Sequence, residues 1–201
     1  MKQARVVGWG DVGSREAALV QRCAEGDESA FAEVVAEHQR MVIQLAINLL
    51  GDREEALDLS QEVFLRVFRT IHRFRGQSSL RTWIYRIAVN QARNKHRFWR
   101  RRHRADQISL DLHISTHGDF VSAGESTPDR LLAQKELARL LEQALDGLPF
   151  DQRTAIVLRE IDGLSYDEIA FSLGVAVGTV KSRLTRARQA LRMELREARI
   201  V

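Results

Sequence analysis

The stretch that most constrains the fold is 164–191, because it has the pattern of two helices joined by a tight turn. Ser165 and Glu168 have the spacing of a capping box, in which a hydroxyl and a carboxylate satisfy free backbone N–H groups at a helix start. Gly174 follows the first helix, where a positive φ lets the chain leave it. Apolar residues then recur at helical spacing with a polar face opposite them. The pattern predicts a helix-turn-helix.

The second helix of this motif carries hydrogen-bond donors on its polar face. The candidate DNA-contacting residues there are Thr179, Lys181, Ser182, Arg183 and Arg186. Arg and Lys donate to guanine O6 and N7 in the major groove, and Ser and Thr contact bases or phosphates. Ala176 precedes the helix, so no side chain caps it. Taken alone, the pattern also fits a helical hairpin with a solvated basic face.

Residues 74–104 hold a second pattern that suits nucleic acid. Gly76 and the polar residues after it predict a loop, and Ser79 is positioned to cap the helix that follows. The inward stripe of that helix is Leu80, Trp83, Ile84, Ile87 and Ala88. Its opposite face carries Arg86, Asn90, Arg93, Asn94 and Arg97. Basic side chains track phosphates and amides pair with base edges, so this face suits melted or single-stranded DNA.

A third helix, predicted to begin after Asp52, carries a candidate protein-binding face. Acidic residues at its start are explained by the helix dipole, but Asp58, Gln61 and Glu62 lie deeper in the helix, where that explanation weakens. Together with Phe64 they form a candidate docking surface. The alternative stays open, because two phenylalanines at helical spacing are more often core residues than interface residues.

The 201 residues predict an all-α chain of two small helical domains joined by a flexible linker. The predicted segments are a loose tail at 1–13, a first domain at 14–104, a linker at 105–128 and a second domain at 129–201. The net charge of +4 matters less than the gathering of positive charge near the end of each half. Cys23 is the only cysteine, which excludes an internal disulfide.

Several kinds of function are not expected from the sequence. His113 and His117 are four residues apart, but no third ligand lies near them, so we predict no metal site and no cofactor. Paired carboxylates that would serve a nuclease are not found beside the basic clusters, and no catalytic residue is predicted. No apolar run has the length of a membrane span or a signal peptide, so we expect no membrane insertion and a place in the cytoplasm.

Three motifs, in order along the chain, carry a resemblance to a known family. They are DLSQEVFLRVF at 58–68, FRGQSSLRTWIYRIAVNQARN at 74–94 and GLSYDEIAFSLGVAVGTVKSRLTRARQAL at 163–191. From about Ser14 to Arg196 the chain resembles a bacterial RNA polymerase sigma factor of the extracytoplasmic-function type. This family has two domains, sigma-2 and sigma-4, joined by a linker that threads toward the polymerase active-site channel.

The resemblance implies a role for each candidate surface. The implied contacts to the polymerase core, whose largest-subunit clamp helices and flap would be the partners, are Asp58, Gln61, Glu62 and Phe64. The implied contacts to the melted −10 promoter element are Arg75, Gln77, Ser78, Arg86, Asn90, Arg93, Asn94 and Arg97. The implied contacts to the −35 element are Thr179, Lys181, Ser182, Arg183 and Arg186. An anti-sigma factor is the expected regulator.

The sequence departs from the family pattern in a few places. Gln77 stands where an acidic residue is frequent, and Ala176 replaces a Pro or Ser. Thr185 occupies a position that varies with the promoter, so the DNA sequence recognised is not predicted. A stand-alone dimeric helix-turn-helix regulator remains the alternative function, although it gives no reason for the amide-bearing basic face after Gly76.

Overall fold

The computed structural model describes residues 14–105 and 128–197, and these two ranges are helical without a strand. The elements in chain order are α1 (Ser14–Ala24), α2 (Glu28–Leu50), α3 (Arg53–Thr70), a 3-10 turn (Ile71–Arg73), α4 (Leu80–Ala105), α5 (Pro128–Asp146), α6 (Phe150–Ile156), a π-helical turn (Val157–Ile161), α7 (Tyr166–Leu173) and α8 (Val177–Glu197). The all-α fold class is confirmed. The predicted tail at 1–13, residues 106–127 of the predicted linker, and His113 and His117 within it lie outside the described residues.

Short-range hydrogen bonds determine where the helices begin and end. The Asp27 side chain accepts a hydrogen bond from the Ala30 N–H at 3.1 Å at the start of α2. Asp52 accepts one from the Glu55 N–H at 2.9 Å at the start of α3. Between them, Gly51 ends α2 with a φ of 73°, a conformation that side chains oppose. The predicted start of α3 is therefore confirmed, and α2 begins and ends at bonds of the same local kind.

Helices α1 to α4 pack together as the first domain, with α2 against α3 and α4 and with α1 against α2 and the 3-10 turn. Leu45, Leu59 and Ile84 are fully buried at its centre, and Cys23 is buried as well. Trp83 and Ile87 of the predicted inward stripe of α4 pack against the core but are only half-buried. The centre of the buried side lies instead along Leu80, Ile84, Tyr85, Ala88, Val89 and Ala92.

Helices α5, α6 and α7 pack against α8 as the second domain. Leu158, Ile169 and Leu184 are fully buried in it. Leu137 and Leu141 are exposed, although they belong to the apolar stripe of α5. Ile161 is 51% exposed because the π-helical turn adds a residue to the turn and rotates the side chain away from the apolar face.

The two domains contact each other directly through α4 and α7, with further contacts from α2 to α6 and to the π-helical turn. Thr82 of α4 is buried at this contact. Its hydroxyl lies 3.2 Å from Glu168 Oε1, to which it donates, and its carbonyl oxygen accepts a hydrogen bond from Ser172 Oγ at 3.4 Å. The α4 helix is therefore covered on two neighbouring sides, by its own domain and by the second domain.

Candidate nucleic-acid interface

The helix-turn-helix formed by α7 and α8 has the predicted start and turn. Ser165 Oγ accepts from the Glu168 N–H at 3.3 Å, and Glu168 Oε2 accepts from the Ser165 N–H at 2.9 Å, which completes the capping box. Glu168 Oε1 is left to accept from Thr82 of α4. Gly174 ends α7 with a φ of 66°. The motif is thus held by its own sequence and by the hydrogen bonds that link Glu168 and Ser172 to Thr82 of the first domain.

The polar face of α8 is mostly open to solvent. Lys181, Ser182 and Arg186 are exposed, and Thr179 is half-buried. Arg183 differs from these four, because its Nη2 donates to Asp151 Oδ2 at 2.7 Å. The opposite side of α8 packs into the second domain through Val180, Leu184 and Ala187, which are buried. The helix therefore has a continuous polar surface, on which the Arg183 side chain is paired with Asp151.

The polar face of α4 is divided in the same way. Asn90, Asn94 and Arg97 are exposed. Arg86 is also exposed, but its guanidinium carbon lies 5.0 Å from the centre of the Phe171 ring of α7. Arg93 is half-buried, with its Nη2 3.5 Å from Asp151 Oδ1. Four of the five predicted residues on this face are therefore exposed, and Arg86 and Arg93 both contact the second domain.

The loop between the 3-10 turn and α4 carries the other predicted −10 residues. Gly76 has a φ of 64°, so the chain turns there in a conformation that favours glycine. Arg75 and Gln77 are exposed. Ser78 is buried, and its hydroxyl donates to the Ser79 carbonyl oxygen at 3.1 Å. Ser78 therefore stabilises the loop and does not present its hydroxyl to a ligand.

The predicted protein-binding face on α3 is exposed except at its phenylalanine. Asp58, Gln61 and Glu62 are exposed on one side of the helix. Phe64 is only 7% exposed and belongs to the core of the first domain, so its ring is not available at the surface. Phe68, one turn later, is 48% exposed and packs edge-on against the Phe31 ring with 5.0 Å between ring centres. The exposed apolar residues of α3 are Leu57, Leu65 and Phe68, and helical spacing places Leu65 on the face that carries Asp58, Gln61 and Glu62.

A basic cleft of about 660 Å³ lies between α4 and the start of α6. Its lining residues are Arg93, His96, Arg97, Arg100, Arg101, Pro149, Phe150 and Asp151. The His96 and Phe150 rings stack with 4.7 Å between their centres. Burial and the neighbouring charges of Arg153 and Arg100 lower the pKa of His96, so the positive charge of the cleft comes from the arginines. Its chemistry suits phosphate groups.

Metal sites and membrane spans are two further features to consider in residues 14–105 and 128–197. No three His, Cys, Asp or Glu side chains in those ranges are grouped as metal ligands. None of the helices there combines the length and the apolar character of a membrane span. The polar surfaces described above are therefore the candidate site.

Comparison with known proteins identifies the family. The family model for sigma-70 region 2 matches residues 34–105, and the model for sigma-70 region 4 matches residues 138–191. The RNA polymerase sigma-H factor of Pseudomonas aeruginosa is 37% identical over 173 residues, covering 86% of this chain and 90% of that protein. The chain belongs to the extracytoplasmic-function sigma factors. The sigma-E factor of Escherichia coli K12 is 39% identical over 177 residues with the same coverage.

Solved structures of sigma factors have the same architecture. CnrH in complex with the cytosolic domain of CnrY superimposes with a TM-score of 0.66 at 26% identity, covering 90% of this chain and 97% of that one. The sigma factor RpoE of Bartonella quintana in complex with the anti-sigma factor NepR gives a TM-score of 0.67 at 25% identity, covering 83% and 96%. The predicted family and its sigma-2 and sigma-4 domains are confirmed, whereas the domain boundaries and the roles of single residues stay predictions.

One contact of the sigma factor's α4 was missed from the sequence. Glu16 of α1 accepts a hydrogen bond through Oε1 from the Leu80 N–H at 2.7 Å. This N–H belongs to the first turn of α4, where backbone donors have no partner within the helix. An acidic residue in the first turn of α1 is explained by the dipole of α1 itself, so nothing in the sequence indicates a partner 64 residues away. Glu16 precedes the region 2 match and anchors the start of α4, just after the loop at Gly76, to α1.

We expect Glu16→Ala to lower the free energy of unfolding of the sigma factor by about 1 kcal/mol, because Leu80 loses its cap. Glu16→Gln keeps an acceptor oxygen and should lose less than half as much. Urea unfolding followed by circular dichroism measures both values. Glu33→Ala, which removes an exposed carboxylate from α2, is the control. Equal losses in the Ala and Gln variants would contradict the assignment of Glu16 as the cap.

Proposed function

We propose that this sigma factor binds the RNA polymerase core, directs it to promoters by contacting their −35 and −10 elements, and stabilises the melted DNA. The exposed residues of α8 would contact the −35 duplex, and Asn90, Asn94 and Arg97 of α4 would contact the melted −10 strand. The acidic face of α3 would bind the clamp helices of the largest polymerase subunit. Phe64 would act only from the core, as support for that face.

The observation that carries this proposal is the presence of two separate, exposed surfaces suited to DNA on α4 and α8. The α8 surface is rich in Arg, Lys and hydroxyl groups, which suits base edges and phosphates of a duplex. The α4 surface combines side-chain amides with arginine, which suits unpaired bases and their phosphates. A stand-alone helix-turn-helix regulator would need only the first of these surfaces.

No bond-making step by this chain is needed in the proposed mechanism. The polymerase would supply the chemistry, and the sigma factor would supply binding energy at two DNA sites. Extracting a base from the duplex costs a few kcal/mol, which contacts from α4 and the loop at Gly76 would offset. A protein that binds the melted state more tightly than the duplex shifts the promoter toward the melted state.

An anti-sigma factor is the proposed regulator, and the cytoplasm is the proposed place of action. CnrH and the Bartonella RpoE are similar to this chain over both domains, and their structures are complexes with the CnrY cytosolic domain and with NepR. A partner of this kind would cover the surfaces proposed to bind polymerase and DNA.

Run-off transcription tests the proposal directly. Bacterial core polymerase is mixed with the purified chain and a pool of promoter fragments from its host. We expect discrete transcripts that require the wild-type chain. Asn90→Ala and Arg186→Ala should each reduce transcript yield by about tenfold, since one good base contact contributes about 1–3 kcal/mol. Gln21→Ala and Arg196→Ala, which remove an exposed amide and an exposed arginine elsewhere, are the matched controls.

Three outcomes are informative. Losses confined to the Asn90 and Arg186 variants support contacts from both surfaces. Losses of equal size in the controls would refute the residue assignments. If no transcript forms, the chain does not bind core polymerase, and it binds duplex DNA as a dimer, then the proposed function is wrong and a helix-turn-helix regulator replaces it.

A further inference from the structure

One carboxylate joins the two DNA-contacting helices. Asp151 lies in the first turn of α6, and its Oδ2 accepts from Arg183 of α8 at 2.7 Å. Its Oδ1 lies 3.5 Å from Nη2 of Arg93 in α4. Arg183 is a proposed −35 contact and Arg93 a proposed −10 contact. Both are therefore bonded to a single side chain instead of facing a ligand.

Simultaneous binding of both promoter elements is impossible in this arrangement. The −35 and −10 elements are about 25 base pairs apart, which is roughly 85 Å along B-form DNA. Arg93 and Arg183 here bind opposite oxygens of the same carboxylate. The two domains must separate before α8 and α4 can reach the two elements. The closed arrangement is thus a state that competes with promoter binding.

The closed arrangement is held by contacts of several kinds. Across it, Thr82 bonds to α7, and Arg81 Nη2 donates to the Asp162 carbonyl oxygen at 3.2 Å. Arg153 of α6 donates to the Leu49 carbonyl oxygen of α2 at 3.3 Å. Each of these bonds joins one charged group, on Glu168, Arg81 or Arg153, to a neutral hydroxyl or carbonyl group. They hold the interface together but do not offset the charge of the arginines that meet there.

Asp151 offsets that charge. The basic cleft around it is lined by Arg93, Arg97, Arg100 and Arg101 from α4, and Arg183 approaches from α8. Asp151 is the acidic residue in that lining. Without its carboxylate, the arginines of α4 and Arg183 would repel one another through a partly buried space, where screening is weaker than in water. The negative charge of Asp151 is therefore what makes the closed contact favourable on this side.

We propose that Asp151 is an autoinhibitory latch, which closes the free sigma factor on itself and holds back one arginine from each DNA-contacting helix without the help of a second protein. The inhibitory role rests on the proposed function, whereas the closure itself does not. DNA phosphates would open the latch by competing with Asp151 for the arginines. The polymerase core would open it by binding the two domains when they are separated. Because the closed form must open before it binds, the apparent affinity of the sigma factor for promoter DNA is reduced.

Asp151→Asn tests the latch, with Glu160→Gln as the matched control. Glu160 also pairs its carboxylate with an arginine of α8, Arg188, at 2.6 Å, but that pair lies within the second domain. Dyes on Arg66→Cys and Gln189→Cys, exposed positions of α3 and α8, report domain separation by single-molecule energy transfer in a Cys23→Ala background. We expect Asp151→Asn to raise the ratio of open to closed molecules about threefold to tenfold, and Glu160→Gln to leave it unchanged.

A second variant approaches the latch from the other domain. Arg93→Gln removes the partner of Asp151 on α4, and its energy-transfer histogram should shift in the same direction. Circular dichroism confirms that each variant is folded. If neither variant opens the protein more than Glu160→Gln does, the latch proposal is wrong, whatever the transcription assay gives.

The inhibitory role is measured by run-off transcription at a limiting concentration of unlabelled protein. Asp151→Asn should increase the yield of transcript by up to the same factor of about three to ten, because more of the protein is open. An open variant without that gain would overturn autoinhibition. If the wild-type chain supports no transcription at all, the proposed function fails, and the energy-transfer ratio still decides whether Asp151 closes the domains.

Discussion

Replacing Arg153 with alanine is expected to lower the free energy of unfolding by about 3 kcal/mol. Arg153 is only 9% exposed, and burial lowers the pKa of its guanidinium. Its Nη1 donates to Asp146 Oδ1 at 2.7 Å and to the Leu49 carbonyl oxygen at 3.3 Å, and its Nη2 donates to the Asp146 carbonyl oxygen. Truncation leaves these three acceptors without the donor, and breaking a buried pair from one side costs several kcal/mol.

Chemical denaturation followed by circular dichroism measures this loss. Arg188→Ala is the control, because its pair with Glu160 is exposed on both sides and contributes less than about 1 kcal/mol. Arg153→Lys keeps the charge but cannot donate in three directions from one plane, so we expect an intermediate loss. A loss in Arg153→Ala no larger than in Arg188→Ala would show that the buried arginine contributes nothing beyond a surface ion pair.

Replacing Asp162 with asparagine is expected to stabilise the protein at neutral pH. Burial raises the pKa of Asp162 from 3.8 to about 6, partly opposed by a hydrogen bond with Tyr85 and by the charge of Arg81. Its Oδ2 is buried without a hydrogen-bond partner. A folded-state pKa above the unfolded value means that the charged form is disfavoured by folding. The cost is absent below pH 4, grows as the pH rises toward 6, and is constant above that.

The size of the effect follows from the shift. A change from 3.8 to about 6 corresponds to at most about 3 kcal/mol, and the partial exposure of the residue reduces this to about 1–2 kcal/mol. Asp162→Asn should gain this amount at pH 8 and nothing at pH 4. His38 and Asp162 line one cleft beside α2 and α4, and burial lowers the pKa of His38, which acts in the opposite direction. Comparing variant and wild type at each pH removes its contribution.

Equilibrium unfolding at pH 4, 6 and 8 provides this comparison. A gain that is the same at all three values would mean that asparagine improves packing and that no buried charge was relieved. A loss at pH 8 would mean that the carboxylate is stabilised by its neighbours, so that the charge of Asp162 raises the free energy of unfolding.

Features encoded by residues close in sequence were predicted correctly. The capping box of Ser165 and Glu168, the left-handed glycines at 51 and 174, and the start of α3 at Asp52 each depend on bonds within four residues. The exposed faces of α8 and α4 followed from helical periodicity, since a stripe of apolar residues leaves the other side to solvent. The family followed from motifs that remain recognisable without a structure.

Features that depend on distant residues were not predicted. Helical periodicity gives α4 one buried side, but Thr82 and Tyr85 are buried as well because the second domain covers them. Arg86 and Arg93 therefore contact the second domain, which helical periodicity does not indicate, although Arg86 remains exposed. Arginine is usually a surface residue, and Arg153 is buried because α6 packs against α2. The outward rotation of Ile161 required a π-helical turn, which has no clear sequence pattern.

The two oxygens of Glu168 divide their bonds between the domains, and this division has a consequence for DNA recognition. Oε2 accepts from Ser165 within the helix-turn-helix, and Oε1 accepts from Thr82 across the domain contact. Separation of the domains breaks only the second bond and leaves water to replace it. The start of α7 keeps its cap, so the DNA-contacting unit is preorganised before it meets a promoter. The conformational entropy of this unit is already lost when the protein folds, so ordering the unit does not weaken its binding to DNA.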